Sequence, residues 1–264
     1  MKVRDVSIHR DRLTIIAGPC LAESYEICKE VGASVKELCH EFGFNYIFKA
    51  SFDKANRTSA GTERGMGLSE GLKLIRTVAN ELGTPCTTDV HESHQAAEVA
   101  DAVDLLQIPA FLCRQTDLLH ACARTGKPIN VKKGQFLAPW DAKNIVDKLR
   151  SFEAHGIMLT ERGTSFGYNS LVVDFPGLEV MHSFGVPVCF DATHSAQRPG
   201  AAGGASGGNR EAIPALVRAA VAVGIDALFM EIHPDPENAQ SDSATQWPLA
   251  RAREMFEQIA RLTG

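Results

Sequence analysis

The sequence predicts a single (β/α)8 barrel over residues 1–264, with a short N-terminal hairpin or extension. Short β-branched or apolar runs alternate with longer segments of helical period, and the alternation repeats eight times. Several apolar runs closely follow a glycine, as at Gly83, Gly126 and Gly185, which is typical of a helix that ends and feeds a strand. No change of composition divides the chain. The same alternation also allows an open doubly wound sheet as the alternative.

The strands and helices follow from these periodicities. Strands are predicted at residues 13–18, 45–52, 85–90, 105–110, 128–133, 157–161, 186–192 and 227–233. Amphipathic helices are predicted at 25–42, 68–82, 118–124, 142–155, 210–223 and 249–262. In the helix at 25–42, Ile27, Val31, Val35 and Leu38 fall on one stripe. In a closed barrel the loops after the carboxyl ends of the strands form one rim, so functional residues are expected there.

Composition narrows the class of protein. The chain has 264 residues, of which 44% are hydrophobic and 22% charged, as in an ordinary globular protein. No apolar run reaches the roughly 20 residues of a membrane span, and the charged first residues do not suit a signal peptide. A net charge of −5 argues against nucleic acid or a membrane as partner. The seven scattered cysteines are typical of a reducing compartment, so the protein is predicted to be cytoplasmic.

A polar side chain stands at or just after the end of each predicted strand. These residues are Cys20, Lys49, Asp89, Gln107, Lys132, Arg162, His194 and Glu231. A lone lysine at such a position often only reaches solvent or a neighbouring carboxylate. Several cations on one small rim of an acidic protein would repel one another unless an anion lay among them. Lys49, Lys132 and Arg162 together therefore predict a phosphate or carboxylate ligand.

The loop after the second strand adds further partners for phosphate oxygens. Lys54, Asn56, Arg57 and Ser59 supply two cations, an amide and a hydroxyl. An ordinary polar turn is the alternative interpretation. Arg114 follows the fourth strand, and the sequence leaves open whether it serves this site, the site of a neighbouring subunit, or only solvent.

A metal site is the second feature predicted at the rim. Cys20, His194, Glu231 and Asp242 offer a thiolate, an imidazole and two carboxylates, which suit Zn²⁺, Fe²⁺, Mn²⁺ or a similar divalent ion. The support is positional, because Cys20, His194 and Glu231 end the first, seventh and eighth strands, which are neighbours once the barrel closes. A buried thiol, a hydrogen-bonded core histidine and a solvated acid are the alternatives.

One low-complexity loop, residues 198–210, follows His194 directly. It lacks the glycine spacing of dinucleotide and nucleoside triphosphate loops. Glycine-rich backbone closes over a ligand at low steric cost, so residues 200–208 are predicted to act as a lid. A passive flexible loop is the alternative.

Several motifs together resemble the 3-deoxy-D-manno-octulosonate 8-phosphate (KDO8P) synthase family over nearly the whole chain. They are GPC at 18–20, KASFDKANRTS at 49–59, QIPAFLCRQ at 107–115, NVKKGQF at 130–136, ERG at 161–163, DATHS at 191–195 and EIHPDP at 231–236. The family has a metal-dependent branch with Cys where the metal-free branch has Asn. Cys20 places the chain with the metal-dependent branch, and the run SDS at 241–243 agrees, since the metal-free branch tends to have Cys-Asp-Gly there.

The resemblance implies a reaction and a set of roles. Phosphoenolpyruvate would condense with D-arabinose 5-phosphate and water to give KDO8P and phosphate, an early step towards the KDO of lipopolysaccharide. Phosphoenolpyruvate would lie among Lys49, Lys54, Gln107, Lys132, Arg162 and His194, and the sugar phosphate at Asn56, Arg57 and Ser59. Arg114 would reach across from a neighbouring subunit of a homotetramer. The residues expected to act in the chemistry are His194, Lys54, Lys132 and Cys20.

Three other functions fit part of this pattern. A 3-deoxy-D-arabino-heptulosonate 7-phosphate (DAHP) synthase takes erythrose 4-phosphate instead, but its loop has the sequence KPRTS where this chain has KANRT at 54–58. A Schiff-base aldolase would use Lys132 or Lys49 as nucleophile. A barrel that only binds a sugar phosphate would catalyse nothing.

Overall fold

The computed structural model describes residues 1–57, 59, 61, 64–200 and 207–263, which form a closed parallel barrel. The strands of these residues are β1 (Lys2–Val3), β2 (Val6–Ser7), β3 (Thr14–Gly18), β4 (Asn45–Lys49), β5 (Cys86–Asp89), β6 (Leu105–Ile108), β7 (Ile129–Lys132), β8 (Ile157–Glu161), β9 (Thr164–Ser165), β10 (Leu171–Val172), β11 (Val188–Asp191), β12 (Gln197–Arg198), β13 (Gly207–Gly208), β14 (Ala227–His233) and β15 (Trp247–Pro248). Strands β3 to β8, β11 and β14 pair in parallel in that order. Because β14 pairs with both β11 and β3, the barrel closes, and the open sheet is wrong.

Helices cover the outside of the barrel. They are α1 (Tyr25–Phe42), α2 (Leu68–Leu82), α3 (Ala96–Ala102), α4 (Thr116–Ala123), α5 (Lys143–Ser151), α6 (Pro176–His182), α7 (Ala192–Ser195), α8 (Ile213–Val223) and α9 (Ala252–Thr263). The first two have the predicted bounds. Ser24 begins α1 by accepting a hydrogen bond from the backbone N–H of Ile27, and Gly43 ends it with a φ of 77°.

Several predicted ends are wrong by a few residues, and the backbone shows why. The segment predicted at 142–155 begins as a 3₁₀ turn and ends at Ser151, shortly before Glu153 takes a left-handed φ of 57°. The segments predicted from 210 and 249 also begin with 3₁₀ turns. No helix in the described ranges is long and apolar enough to cross a membrane.

The N-terminal hairpin is confirmed, and it seals one end of the barrel. Strands β1 and β2 pair antiparallel. Val3, Val6 and Ile8 are buried against the apolar side chains that fill this end of the barrel, among them Ile16 and Leu105. The opposite end, where the strands finish, is left for polar side chains.

Gly18→Ala is expected to destabilise the fold and to displace the backbone of Lys49. A Cβ at Gly18 would lie 1.9 Å from the carbonyl oxygen of Lys49 on the paired strand, so β3 and β4 would have to separate. We expect the free energy of unfolding to fall by about 3 kcal/mol, measured by urea denaturation. Gly126→Ala is the control, because a Cβ there would have no atom within 4 Å. Its left-handed φ of 74° should still cost about 1 kcal/mol of the free energy of unfolding. Equal losses in the two variants would contradict the prediction.

Candidate active site

A cavity of about 550 Å³ opens at the carboxyl ends of the barrel strands. Most of the predicted site residues line it, namely Lys49, Lys54, Asn56, Arg57, Asp89, Gln107, Lys132, Arg162, His194, Glu231 and Asp242. Cys20 is fully buried, but its thiol lies within hydrogen-bonding distance of the cavity residue Asp242. One rim therefore gathers the residues that the sequence placed on eight separate strands.

Lys132 ends β7 and Arg162 follows the neighbouring strand β8. Both line the cavity, and together they are called its cationic floor. The Nζ of Lys132 donates to Oδ2 of Asp191 at 2.6 Å and lies 3.7 Å from the ring centre of Phe229. Arg162 donates from Nη2 to Gln197 at 2.8 Å, whereas its buried Nη1 has no hydrogen-bond partner among the residues that the structure describes. Burial lowers the pKa of Arg162, and nearby carboxylates offset this only in part. A buried guanidinium nitrogen without a partner is a ready donor to an anion.

Lys49 and Lys54 supply charge on the other side of the cavity. Nζ of Lys49 donates to Oε1 of Glu231 at 2.6 Å, and Nζ of Lys54 lies 3.8 Å from the same oxygen. Lys54 also donates to Ser51, whose hydroxyl donates to Asp89 at 2.5 Å. Burial alone would raise the pKa of Asp89, but the two lysines outweigh it and hold that pKa below its usual range.

His194 is oriented by Asp191, a residue that the sequence analysis did not single out. Asp191 caps helix α7 by accepting the backbone N–H of His194, and its other oxygen lies 2.7 Å from Nδ1 of the same histidine. Burial lowers the pKa of His194, but Asp191 outweighs this effect and the pKa lies above its usual value. The contact at Nδ1 directs Nε2 towards the carboxylates of Glu231 and Asp242.

The four candidate metal ligands converge. Ligand atoms of Cys20, Glu231 and Asp242 all lie within 4.8 Å of one another, and Sγ of Cys20 is 3.3 Å from Oδ2 of Asp242. Nε2 of His194 lies 3.8 Å from Glu231 and 3.6 Å from Asp242. Within the described part of the chain, Oε2 of Glu231 is buried without a hydrogen-bond partner. A thiol, an imidazole and two carboxylates at these separations fit a borderline divalent ion.

Burial and charge set the proton affinities of this cluster. Burial raises the pKa of the Cys20 thiol, and the carboxylates of Glu231 and Asp242 raise it further. For Asp242, burial raises the pKa, but the hydrogen bond with His194 and neighbouring cations bring it below its usual value. The carboxylates are thus held ionised, as ligands for a cation have to be.

Gln246 joins the two backbone segments that carry Cys20 and Asp242. Its Oε1 accepts the backbone N–H of Cys20 at 3.0 Å, and its Nε2 donates to the carbonyl of Ser241 at 2.7 Å. The sequence carried no signal for this role. For Asp191 there was a signal, because Asp is a preferred N-cap residue and stands directly before α7.

Of three residues predicted to serve the sugar phosphate, the structure places only one in the cavity. Arg57 lines the cavity and donates to Oγ of Ser241 and to the carbonyl of Gln240. Ser59 is exposed and is not among the described lining residues. Arg114 lies outside the cavity, in a second pocket of about 400 Å³. The substrate-binding roles of Asn56, Arg57, Ser59 and Arg114 all stay predictions.

The glycine-rich loop is described only at its two ends. Residues 197–198 pair antiparallel with 207–208, and Pro199 and Gly200 line the cavity. Residues 201–206, on which the predicted lid depends, lie outside the described residues. The lid stays a prediction.

The fold and the site define a barrel protein with several cationic side chains in one cavity beside a candidate metal centre. Residues 3–263 match the model of the DAHP synthetase I family, and the chain belongs to that family.

Curated relatives are similar over almost the whole chain. A 2-dehydro-3-deoxyphosphooctonate aldolase of Synechococcus is 56% identical over 95% of this chain and 88% of its own length. Proteins of the same name from Dechloromonas aromatica and Xanthomonas campestris are 55% and 53% identical, over 94% and 99% of this chain and 90% and 95% of their own lengths. That name denotes KDO8P synthases, so the resemblance to this family is confirmed.

Proposed function

We propose that this protein condenses phosphoenolpyruvate with D-arabinose 5-phosphate and water, giving KDO8P and inorganic phosphate. The observation that carries the proposal is the convergence of Lys49, Lys54, Lys132 and Arg162 on one cavity in a chain of net charge −5. Two phosphorylated molecules repel each other, so a site that joins them needs such cations. Relatives at 53–56% identity carry the octonate name over 93–99% of the chain, so erythrose 4-phosphate is not favoured as the substrate.

The bond changes of this reaction define what the residues have to do. The methylene carbon of phosphoenolpyruvate attacks the sugar aldehyde, water adds to the enol carbon, and the resulting hemiketal phosphate loses phosphate by cleavage of its C–O bond. Lys132 and Arg162 would hold the carboxylate and phosphate of phosphoenolpyruvate. His194, with Nδ1 against Asp191, would present Nε2 to a divalent ion.

The proposal includes a divalent metal ion and places this chain in the metal-dependent branch. Cys20, His194, Glu231 and Asp242 would hold the ion, and the unpartnered Oε2 of Glu231 supports this choice. Such an ion supplies Lewis-acid polarisation of the aldehyde or positions the attacking water. Zn²⁺, Fe²⁺ and Mn²⁺ all suit this donor set.

The decisive assay measures phosphate release from phosphoenolpyruvate with each aldose phosphate, with and without a chelator. We expect release with arabinose 5-phosphate, little with erythrose 4-phosphate and none with phosphoenolpyruvate alone. Chelation should abolish turnover, and added divalent ion should restore it. Borohydride with substrate should leave the protein mass unchanged, because no Schiff base forms. Full activity of the metal-stripped protein would refute the metal assignment, and equal turnover of erythrose 4-phosphate would refute the substrate.

The proposal also includes a homotetramer in which Arg114 serves a neighbouring subunit. Large apolar side chains stand exposed on the loops after β6, β7 and β8, namely Phe111, Phe136, Trp140, Phe166 and Tyr168. Trp140 is 65% and Tyr168 is 98% exposed, an unusual arrangement for a surface in water. Arg114 lies three residues after Phe111 and lines a second pocket, outside the cavity of its own chain.

Phe136→Glu is expected to shift the protein from a tetramer to smaller species, because the charge would have to be buried at the subunit contact. Light scattering coupled to gel filtration measures the mass. Glu98→Gln, on the exposed face of α3, is the control and should leave the mass unchanged. A monomeric wild-type protein with full activity would contradict the proposed assembly.

We propose the cytoplasm as the compartment and the supply of lipopolysaccharide as the pathway. All seven cysteines are free thiols, which suits a reducing compartment. The octulosonate product is the precursor that the resemblance assigns to lipopolysaccharide.

A further inference from the structure

A row of side-chain hydrogen bonds runs through the barrel from Thr160 to Asp89. Oγ1 of Thr160 donates to Oδ1 of Asn130 at 2.6 Å, and Nδ2 of Asn130 donates to Oε1 of Gln107 at 3.3 Å. Nε2 of Gln107 then donates to Oδ1 of Asp89 at 2.6 Å. These residues lie on β8, β7, β6 and β5, which are consecutive barrel strands. Asp89 is directly opposite Gln107, and Gln107 is directly opposite Asn130.

The chemistry of one end fixes the direction of the whole row. An ionised Asp89 can only accept hydrogen bonds, so Gln107 has to face it with its nitrogen. The oxygen of Gln107 then faces Asn130, which has to present its own nitrogen. The oxygen of Asn130 is left for Thr160, whose hydroxyl donates. The orientation of each amide is therefore set by its partners as well as by shape.

Only two of the four residues in this row line the cavity. Asp89 and Gln107 line the cavity, whereas Asn130 and Thr160 are completely buried and are not among its described lining residues. Nε2 of Gln107 carries two hydrogens and gives one to Asp89, which leaves the second for an acceptor in the cavity. A reversed amide would instead present its carbonyl oxygen to an anionic ligand, which is repulsive.

We propose that Asn130 and Thr160 are positioning residues that keep an N–H of Gln107, and not its carbonyl, facing the bound phosphoenolpyruvate. The proposal rests on the proposed function in taking phosphoenolpyruvate as the ligand of Gln107. Neither residue touches the substrate. Both act through the amide of Gln107 and add to the constraint that Asp89 already places on its orientation.

The test compares variants of matched shape. Thr160→Val removes the terminal hydroxyl and keeps the volume, whereas Thr160→Ser keeps the hydroxyl. Asn130→Asp places an acceptor-only group where Gln107 needs a donor, which favours the reversed amide. We expect the Kd and KM for phosphoenolpyruvate to rise about 10-fold in Thr160→Val and about 50-fold in Asn130→Asp. In Thr160→Ser both should stay within about 2-fold, and the KM for the sugar phosphate should not change in any of them.

Calorimetric titration with phosphoenolpyruvate alone, together with thermal unfolding, separates the outcomes. A merely structural role would lower the melting temperature of Thr160→Val while its affinity for phosphoenolpyruvate stayed that of the wild type, and this result would overturn the proposal. If Asn130→Asp does not fold, the Thr160→Val and Thr160→Ser pair decides by itself. If the wild-type protein binds no phosphoenolpyruvate, the proposed function fails instead, which is a different result from equal binding by all variants.

Discussion

Lys132→Met is expected to lower kcat/KM for phosphoenolpyruvate by about 10³-fold. The lysine places a charge on the cavity floor, bonds to Asp191 at 2.6 Å and lies 3.5 Å from Nδ1 of His194. Methionine keeps most of the volume but removes the cation, so the substrate anion loses a partner and Asp191 loses one of its two cations. Phosphate release at varied substrate concentration measures the effect.

Lys143→Met is the matched control for that variant. Lys143 is an exposed lysine on helix α5 that pairs with Asp147 on the same helix. Its loss should change kcat/KM by less than about 2-fold, because surface pairs contribute little. A fall of less than tenfold in Lys132→Met, with the fold intact by circular dichroism, would show that Lys132 only packs and pairs.

Cys20→Ala is expected to weaken metal binding by at least about 100-fold and to abolish turnover at micromolar metal. The thiol lies in one cluster with Glu231 and Asp242. Without it, the ion would keep His194, Glu231 and Asp242 as ligands but would have no soft sulfur donor. Metal content after dialysis against a weak chelator, read by elemental analysis, is the measurement. Activity should return only with a large excess of divalent ion.

The control removes a thiol of the same kind from elsewhere in the barrel. Cys189 on β11 is also completely buried, but it belongs to the apolar core near the N-terminal hairpin. Cys189→Ala should lose a comparable amount of stability and keep stoichiometric metal. If Cys20→Ala kept its metal as Cys189→Ala does, Cys20 would be a packing residue only.

Local patterns predicted most of this architecture. The strands follow from apolar runs, and the helix at 25–42 from its stripe and its flanking Ser24 and Gly43, all of which act over a few residues. Closure of the barrel was predicted from the count of eight units, and the β11–β14–β3 pairing confirms it. The helix starts predicted at 142, 210 and 249 were less accurate, because 3₁₀ and α turns share the same apolar spacing.

The sequence predicted those site residues whose type alone suggests a chemical role. It did not predict residues whose role depends on their contacts in the folded chain. Lys132, Arg162, His194 and Glu231 were predicted from their type and their position at the strand ends, and all four line the cavity. Gln246 was not, because its contacts depend on how a loop 226 residues after Cys20 folds back onto the barrel. Asn130 and Thr160 look like ordinary strand residues, and their row of hydrogen bonds exists only once neighbouring strands are in register.

The hairpin at residues 2–7 has a consequence for molecular traffic. Val3 and Val6 close one end of the barrel with apolar side chains. A phosphate ion cannot pass there, because it would lose its hydration without gaining hydrogen bonds. Phosphate released beside Lys132 and Arg162 has to leave at the rim, through the opening by which the sugar phosphate enters. The barrel therefore has one opening for its ligands, so substrate entry and product release use the same route.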